Sequence, residues 1–406
     1  MRQPKRYANL ALALASMIAC LLVFETALRF TSYKNLLNKD QYLRYYYQAD
    51  PEKGFDIRPN VAKIRLSVDH GAVQYDIWSN ELGCYDRPYN GEKDLVLLVG
   101  DSFTHSYAPF ENKWGTQIES LLHYRVLKCG VSGYGTRQEY FKARDVIAKT
   151  GTRPNLVVVG YFLNDLADDY SFPSLMVIDG FLVPTHKYQH LVKANADPGR
   201  TYNLWKKLRG DHPLSLMDLA KYHLGRHSIL SNLMDEVWAR LFPQRYSFPL
   251  PNSFLAFQDE PWIKEKGVWE NHQANLKHFQ ELAQDNGSQL LVVLIPANTQ
   301  VYPFLVDWGK FDAERPNRIL GKFFQEEKIN YLDLLPLFKQ YADQTPRPGL
   351  SSDRDLYWAH NSHFSLKGER LAALLVARHI LEHDLLKVEE KDSKLAYIRE
   401  QLKNFH

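Results

Sequence analysis

Residues 94–106 read DLVLLVGDSFTHS, and the reading of that stretch decides the fold. The run Leu95–Val99 is uncharged and does not alternate polar with apolar side chains, so it reads as a strand covered on both faces. It runs straight into Gly100-Asp101-Ser102. Asp and Ser are the usual residues of a strand-to-helix turn, because their side chains accept hydrogen bonds from free backbone N–H groups. Ser102 therefore has two readings: a cap for the helix that follows, or a nucleophile held at a strand end. The Gly-x-Ser-x-Gly elbow is not met, since Thr104 stands where its second Gly belongs.

Downstream, strands and helices alternate. Residues 125–131 (RVLKCGV), 155–163 (NLVVVGYFL), 288–296 (SQLLVVLIP) and 329–334 (INYLDL) read as further strands. Residues 112–124, 136–151, 271–287, 314–327 and 365–386 read as helices, with Gly287 placed to stop the third and Ser365 to cap the last. The pattern predicts an α/β domain over 94–386, a doubly wound parallel sheet with helices on each side. Residues 168–265 interrupt it with an irregular, partly helical insertion. There Lys206, Lys207, Arg209 and Arg226 lie near Tyr202, Trp205 and Tyr222, which reads either as solvated helix faces or as a lid or groove for an anionic or sugar-rich ligand. Residues 387–406 form a helical tail. Residues 31–93 form an extension: a polar, tyrosine-rich stalk, then a hairpin around Asp69-His70-Gly71.

The first 30 residues read as a membrane anchor. Arg2, Lys5 and Arg6 precede an uncharged run over residues 8–24, at the short end of the spanning range of about 17–25 residues. No cleavage site followed by a polar segment appears, so the expectation is an uncleaved single-pass helix in the cell inner membrane. The basic flank keeps the N-terminus cytoplasmic and puts the rest on the periplasmic side. Of the three cysteines, Cys20 lies in that helix. Cys84 and Cys129 either pair, as an oxidising compartment would allow, or serve as small buried residues. A net charge of +3 over 406 residues gives no nucleic-acid signal, and the spacing of basic and cysteine residues adds none.

In a doubly wound sheet, ligands meet the carboxyl ends of the strands. After the first strand stands Ser102, after the second Ser132-Gly133, after the third Asn164-Asp165, and before the last helix His363. These are the parts of acyl transfer: a hydroxyl, a backbone N–H that a Gly leaves approachable, an amide donor and an imidazole. The order Gly-Asp-Ser, Gly, Asn-Asp, His resembles the SGNH (GDSL) hydrolases over about residues 94–385, the insertion excepted, and specifically their membrane-anchored bacterial members. The resemblance implies a flavodoxin-like sheet. It implies Ser102 as nucleophile, with Asp101 beside it, and His363 as base. It implies an oxyanion hole from the N–H groups of Ser102 and Gly133 and the amide of Asn164. The family usually places an Asp two or three residues before the His. Here those positions hold Asn361 and His360, so Asn361 is the expected His-orienting residue, with Asp353 and Asp355 as alternatives if their loop folds back. His105 and His360 flank the site as substrate-facing or merely polar residues.

No metal is expected, for want of carboxylate-histidine ligand spacing, and no nucleotide cofactor, because residues 130–135 lack the Gly-x-Gly-x-x-Gly spacing. Three functions fit. The first is a serine esterase cleaving an acyl ester, acetyl foremost, on a cell-envelope glycan or lipid. The second is an O-acyltransferase for an exported polysaccharide using the same residues. The third is a non-catalytic glycan-binding or assembly protein with a weakened triad.

Overall fold

Five runs of Leu, Val and Ile make the central sheet: β1 (Leu95–Gly100), β2 (Arg125–Lys128), β3 (Leu156–Phe162), β4 (Gln289–Ile295) and β5 (Tyr331–Asp333). In the computed structural model, which describes residues 3–38, 43–178, 180–185, 216–241, 257, 267–309 and 311–405, every pairing between them is parallel. The order across the sheet is β5-β4-β3-β1-β2. That is the 2-1-3-4-5 winding of flavodoxin-like sheets, in which the order reverses between β1 and β3.

The helices are α1 (Gln3–Leu28), α2 (Trp114–Leu122), α3 (Thr136–Thr150), α4 (Asp165–Tyr170), α5 (Leu216–His227), α6 (Ile229–Leu241), α7 (Val268–Asn286), α8 (Arg315–Glu326), α9 (Leu335–Tyr341), α10 (Leu366–Glu382) and α11 (Lys391–Lys403). Because successive strand side chains point to opposite faces, the sheet feeds two cores. Val96, Leu98, Val158 and Val293 pack with Ile118 of α2, Leu374 of α10 and Ile398 of α11. Leu97, Val99, Val157, Val159 and Val292 pack with Val146 of α3, Phe279 of α7 and Phe324 of α8. Helix α7 ends at Gly287, whose φ of 66° closes it in the left-handed region. Ser365 caps α10, its hydroxyl accepting from the Gly368 N–H at 3.3 Å.

The chain divides into two compact units: Met1–Tyr42, Arg65–Gln74 and Leu214–Tyr246 in one, and Leu43–Ile64, Tyr75–Pro213 and Ser247–His406 in the other. The second contains the sheet, and it also takes in much of what reads from sequence as a stalk. Tyr46, Tyr47, Phe55 and Ile57 are buried there, on and beside a two-stranded hairpin, Tyr47–Asp50 with Gly54–Ile57. The tyrosines look like a polar linker in sequence, yet each lays its ring on another: Tyr47 on Phe55 and Phe55 on Tyr134, with centroids 5.6 and 5.2 Å apart. The hairpin around Asp69-His70-Gly71 is present as strands Ile64–Val68 and Val73–Ile77. The insertion opens with a further hairpin, Leu175–Ile178 with Phe181–Pro184. Its residues Tyr202, Trp205, Lys206, Lys207 and Arg209 lie outside the described residues.

The first unit holds α1, α5 and α6. An 18-residue stretch within Tyr7–Leu28 of α1 has a mean hydropathy of 2.2, and residues 7–24 are exposed. Length and composition of this kind belong to membrane spans and to N-terminal signal sequences alike.

Candidate active site

β1 ends at Gly100, where a side chain has no room: a Cβ would lie 2.2 Å from the Thr104 hydroxyl and 2.7 Å from the Gly160 carbonyl. The chain then turns into a single helical turn, Ser102–His105. Asp101 is its cap, accepting the Phe103 N–H at 2.9 Å. The capping role thus falls to Asp101, and the Ser102 hydroxyl faces elsewhere. Its oxygen lies 2.7 Å from Nε2 of His363, and 3.2 Å from Oδ2 of Asp101.

His363 sits on the loop that precedes α10. That loop is stapled by the bridge between Tyr357 and Phe364 and by the Trp358 N–H, which donates to the His363 carbonyl at 3.0 Å. The Asn361 amide oxygen accepts the His363 backbone N–H at 3.1 Å and also faces Nδ1 of the ring at hydrogen-bond distance. An acceptor at Nδ1 places the neutral ring's hydrogen there and leaves Nε2 as a bare lone pair toward Ser102. The rings of Phe103 and Tyr107 enclose the imidazole, with centroids 4.7 and 4.4 Å away. Burial pushes its pKa down to about 3, so the ring is neutral through the physiological range.

The alternative orienting acids are occupied elsewhere. Asp355 is buried, pairs with Arg347 and accepts the Ser351 N–H at 2.8 Å. Asp353 bonds the Ser351 hydroxyl. Of the residues singled out in sequence, the structure therefore gathers Ser102, Asp101, His363 and Asn361 directly.

Gly133 and Asn164 stand at the ends of the flanking strands. The turn after β2 is tied to the end of β1, the Val131 N–H donating to the Gly100 carbonyl at 2.9 Å. Gly133 has a φ of +83°, and a Cβ there would come within 2.7 Å of Leu175. Asn164 begins α4, and its amide nitrogen donates to Oδ2 of Asp168 at 2.7 Å. Its side chain is also near enough to Asp101 to pull that carboxyl's pKa down. Asp168 is four residues on, one turn along the same helix face, a spacing readable in sequence.

A group of buried acids surrounds Asn164, and reading from sequence misses it. Burial pushes Asp101 up to about 7, against hydrogen bonds from Phe103 and Ser102 and the nearby Asn164 amide. Burial likewise takes Asp168 up to about 7, although Asn164 pulls it down. Glu139 and Asp165 are raised well above the ordinary carboxylate range, by burial first and then by neighbouring carboxylates. Among the described residues, neither oxygen of either carboxyl has a hydrogen-bond partner. Asp165 follows Asn164 in the motif, but Glu139 lies on α3 and only the fold brings it near.

His105 does not join the Ser102–His363 pair. It is buried, with Nε2 3.0 Å from the Tyr46 hydroxyl, and burial holds its pKa down to about 3. His360 is exposed. Among the described residues, no group of three His, Cys, Asp or Glu is arranged to hold a metal ion. Cys84 and Cys129 form a disulfide, with Cα atoms 4.5 Å apart.

No protein-family model matches the chain, and no curated protein does. Among solved structures it is similar to an acetyl xylan esterase, AlAXEase, at 13% identity and TM-score 0.37, over 70% of this chain and 99% of that one. It is similar to a catalytic mutant of Axe2, an acetylxylan esterase from Geobacillus stearothermophilus, at 14% identity and TM-score 0.36, over 70% of this chain and 93% of that one. It is similar to TesA at 13% identity and TM-score 0.35, over 72% of this chain and 99% of that one. At these identities and scores, no activity is carried from those proteins to this chain.

Proposed function

We propose that the protein is a serine ester hydrolase that removes a short acyl group, acetyl foremost, from a cell-envelope glycan or lipid. The observation that supports this reading is the chain of contacts Ser102 Oγ to His363 Nε2 at 2.7 Å and His363 Nδ1 to the Asn361 amide oxygen. A hydroxyl, a neutral imidazole with its lone pair aimed at that hydroxyl, and an acceptor behind the ring are what acyl transfer through a serine requires.

In this mechanism the Ser102 oxygen attacks the ester carbonyl carbon while Nε2 of His363 takes the hydroxyl proton. Asn361 holds the ring by its Nδ1–H and disperses part of the imidazolium charge. The carbonyl oxygen becomes an oxyanion, and the N–H groups of Ser102 and Gly133 and the Asn164 amide are its donors. Asn164 has two N–H bonds. One is engaged by Asp168, and the other is the one the oxyanion recruits. Collapse expels the alcohol, which leaves with the proton from His363. A water then gives its proton to His363, attacks the acyl-serine and releases the acid and Ser102.

The same reading has α1 as an uncleaved inner-membrane anchor, with the sheet domain on the periplasmic side. The Cys84–Cys129 disulfide supports an oxidising compartment. A topology reporter fused after residue 40 should be active only outside the cytoplasm, and recovery of a soluble protein beginning near residue 25 would overturn the anchor.

A fluorophosphonate probe should attach to Ser102. Ser102→Ala and His363→Ala should each reduce hydrolysis of a model acetyl ester by a factor on the order of 10⁴ or more. Absence of labelling on the folded protein would favour the glycan-binding alternative. Mass-resolved acetyl appearing on an added sugar in place of water would make the protein an acyltransferase.

A further inference from the structure

We infer that α6 is an interfacial helix: its outward stripe lies in the lipid headgroup region beside the end of α1, giving the protein a second hold on the bilayer. Met234, Val237, Trp238 and Leu241 recur at spacings of three and four residues, so they share one face of α6. Their exposures are 65%, 48%, 47% and 66%. The helix has another apolar face that is accounted for. Ile229 packs with Leu28 and Leu36, and Leu233 packs against them. A helix with one apolar face packed in its own unit and with Met234, Val237 and Leu241 exposed on another is suited to a boundary between protein and another apolar medium.

The position of α6 identifies that medium. Glu25 lies in the last turn of α1, and its carboxylate accepts the Ile229 and Leu230 N–H groups at 3.0 and 2.9 Å, capping α6. It also accepts the Ser228 hydroxyl at 3.0 Å. Arg29 donates to the His227 carbonyl at 2.7 Å. The start of α6 is thus bolted to the end of the apolar span, where a span gives way to headgroups. Amphipathic helices with a Trp and aliphatic residues on one face sit about 5–10 Å into that layer. The inference rests on α1 spanning a membrane, and it replaces the reading of this part of the insertion as solvated basic faces.

The full chain is reconstituted into phosphatidylethanolamine–phosphatidylglycerol vesicles and labelled at single cysteines with an environment-sensitive fluorophore. Cys20, exposed in α1, reports the span. In a Cys20→Ser background, Val237→Cys and Leu241→Cys report the stripe, and Asp235→Cys reports the polar side of the same helix. These positions are exposed, so the variants should keep the wild-type circular dichroism. Labels at 237 and 241 should be blue-shifted, and quenched about twofold more strongly than the label at 235 by nitroxide lipids labelled just below the headgroup. Equal, water-like signals at all three positions would overturn the inference. So would a blue shift without lipid quenching, which would mean that a second copy or another segment of the chain covers the stripe. Quenching of the Cys20 label by deep nitroxides is independent of α6; its loss would fail the anchor itself.

Discussion

At the edge of the sheet, Asp86 and Glu119 share two bases. Arg125 reaches Asp86 at 3.0 Å and Glu119 at 3.3 Å, and Lys128 reaches them at 3.1 and 2.7 Å. Around Asn164, by contrast, Glu139 and Asp165 meet no hydrogen-bonding partner among the described residues. Burial would raise the Glu119 pKa, but Lys128 and Arg125 outweigh it and the net shift is downward. In the second group burial is reinforced by Asp101, Asp168 and Asp169, and the shifts run upward. Both groups are buried carboxylates, so burial alone does not set their charge; the nearest cations do. The first group behaves as a lock on β2, reinforced by the disulfide at Cys84, two residues before Asp86. The second lies beside the Ser102–His363 pair, and there burial and neighbouring carboxylates favour the protonated acids.

The harshest way to break this contrast is Asp86→Ala, which leaves Lys128 to Glu119 alone and Arg125 to Glu119 and Glu92, one buried negative charge short. We expect a loss of about 3–5 kcal/mol in denaturant unfolding. A loss below about 1 kcal/mol would mean that the pairs do not hold β2. Next is Asn164→Ala, which removes the amide that the second group holds. Turnover of a model acetyl ester should fall by a factor on the order of 10²–10³, with KM little changed, if the amide stabilises the oxyanion. An unchanged rate in a folded variant would leave Asn164 as a helix start only.

Asn361→Asp introduces a carboxylate behind His363, bringing to this site the pairing seen at Asp86. Wild-type kcat/KM should not fall as pH drops through the usual histidine range near 6.5, because burial holds His363 at about 3 and the unprotonated base persists. In the variant the carboxylate favours the imidazolium, so the acid limb should move up in pH and the plateau rate should rise about tenfold. A rate profile identical to wild type would show that the ring is not governed by residue 361.

Smallest is Glu139→Gln. A carboxyl whose folded pKa is raised contributes stability at low pH that is lost as pH rises above the unfolded value near 4.5. The variant should therefore match wild type near pH 4 and become the more stable of the two as pH is raised, by at most ~1.4 kcal/mol per pH unit. A constant difference across pH would mean that Glu139 does not hold its proton.

The sheet was legible because uncharged strands broken by helices admit few arrangements, and the segment boundaries fall within a few residues of the observed ones. The places of Ser102, Gly133 and Asn164 at strand ends and of His363 before the last helix were legible from the alternation of strands and helices. Asp353 and Asp355 were not separable from Asn361 by spacing. The structure separates them, because Arg347 and the Ser351 N–H occupy Asp355. The tyrosines near residue 46 were misread as a stalk, since nothing local says that Phe55 and Tyr134 will supply the rings they rest on.

By itself, then, the amino-acid sequence determined what depends on neighbours along the chain: the strands and helices, the parallel sheet their alternation demands, the Asp101 turn and the apolar first helix. Only the tertiary structure decided which buried acids meet a base and which do not. It alone set His363 against Asn361 rather than Asp353 or Asp355, and left Met234, Val237 and Leu241 of α6 exposed. Those outcomes depend on groups far apart in sequence, such as Ser102 and His363 or Glu25 and Ile229, whose contacts arise only once the chain is packed.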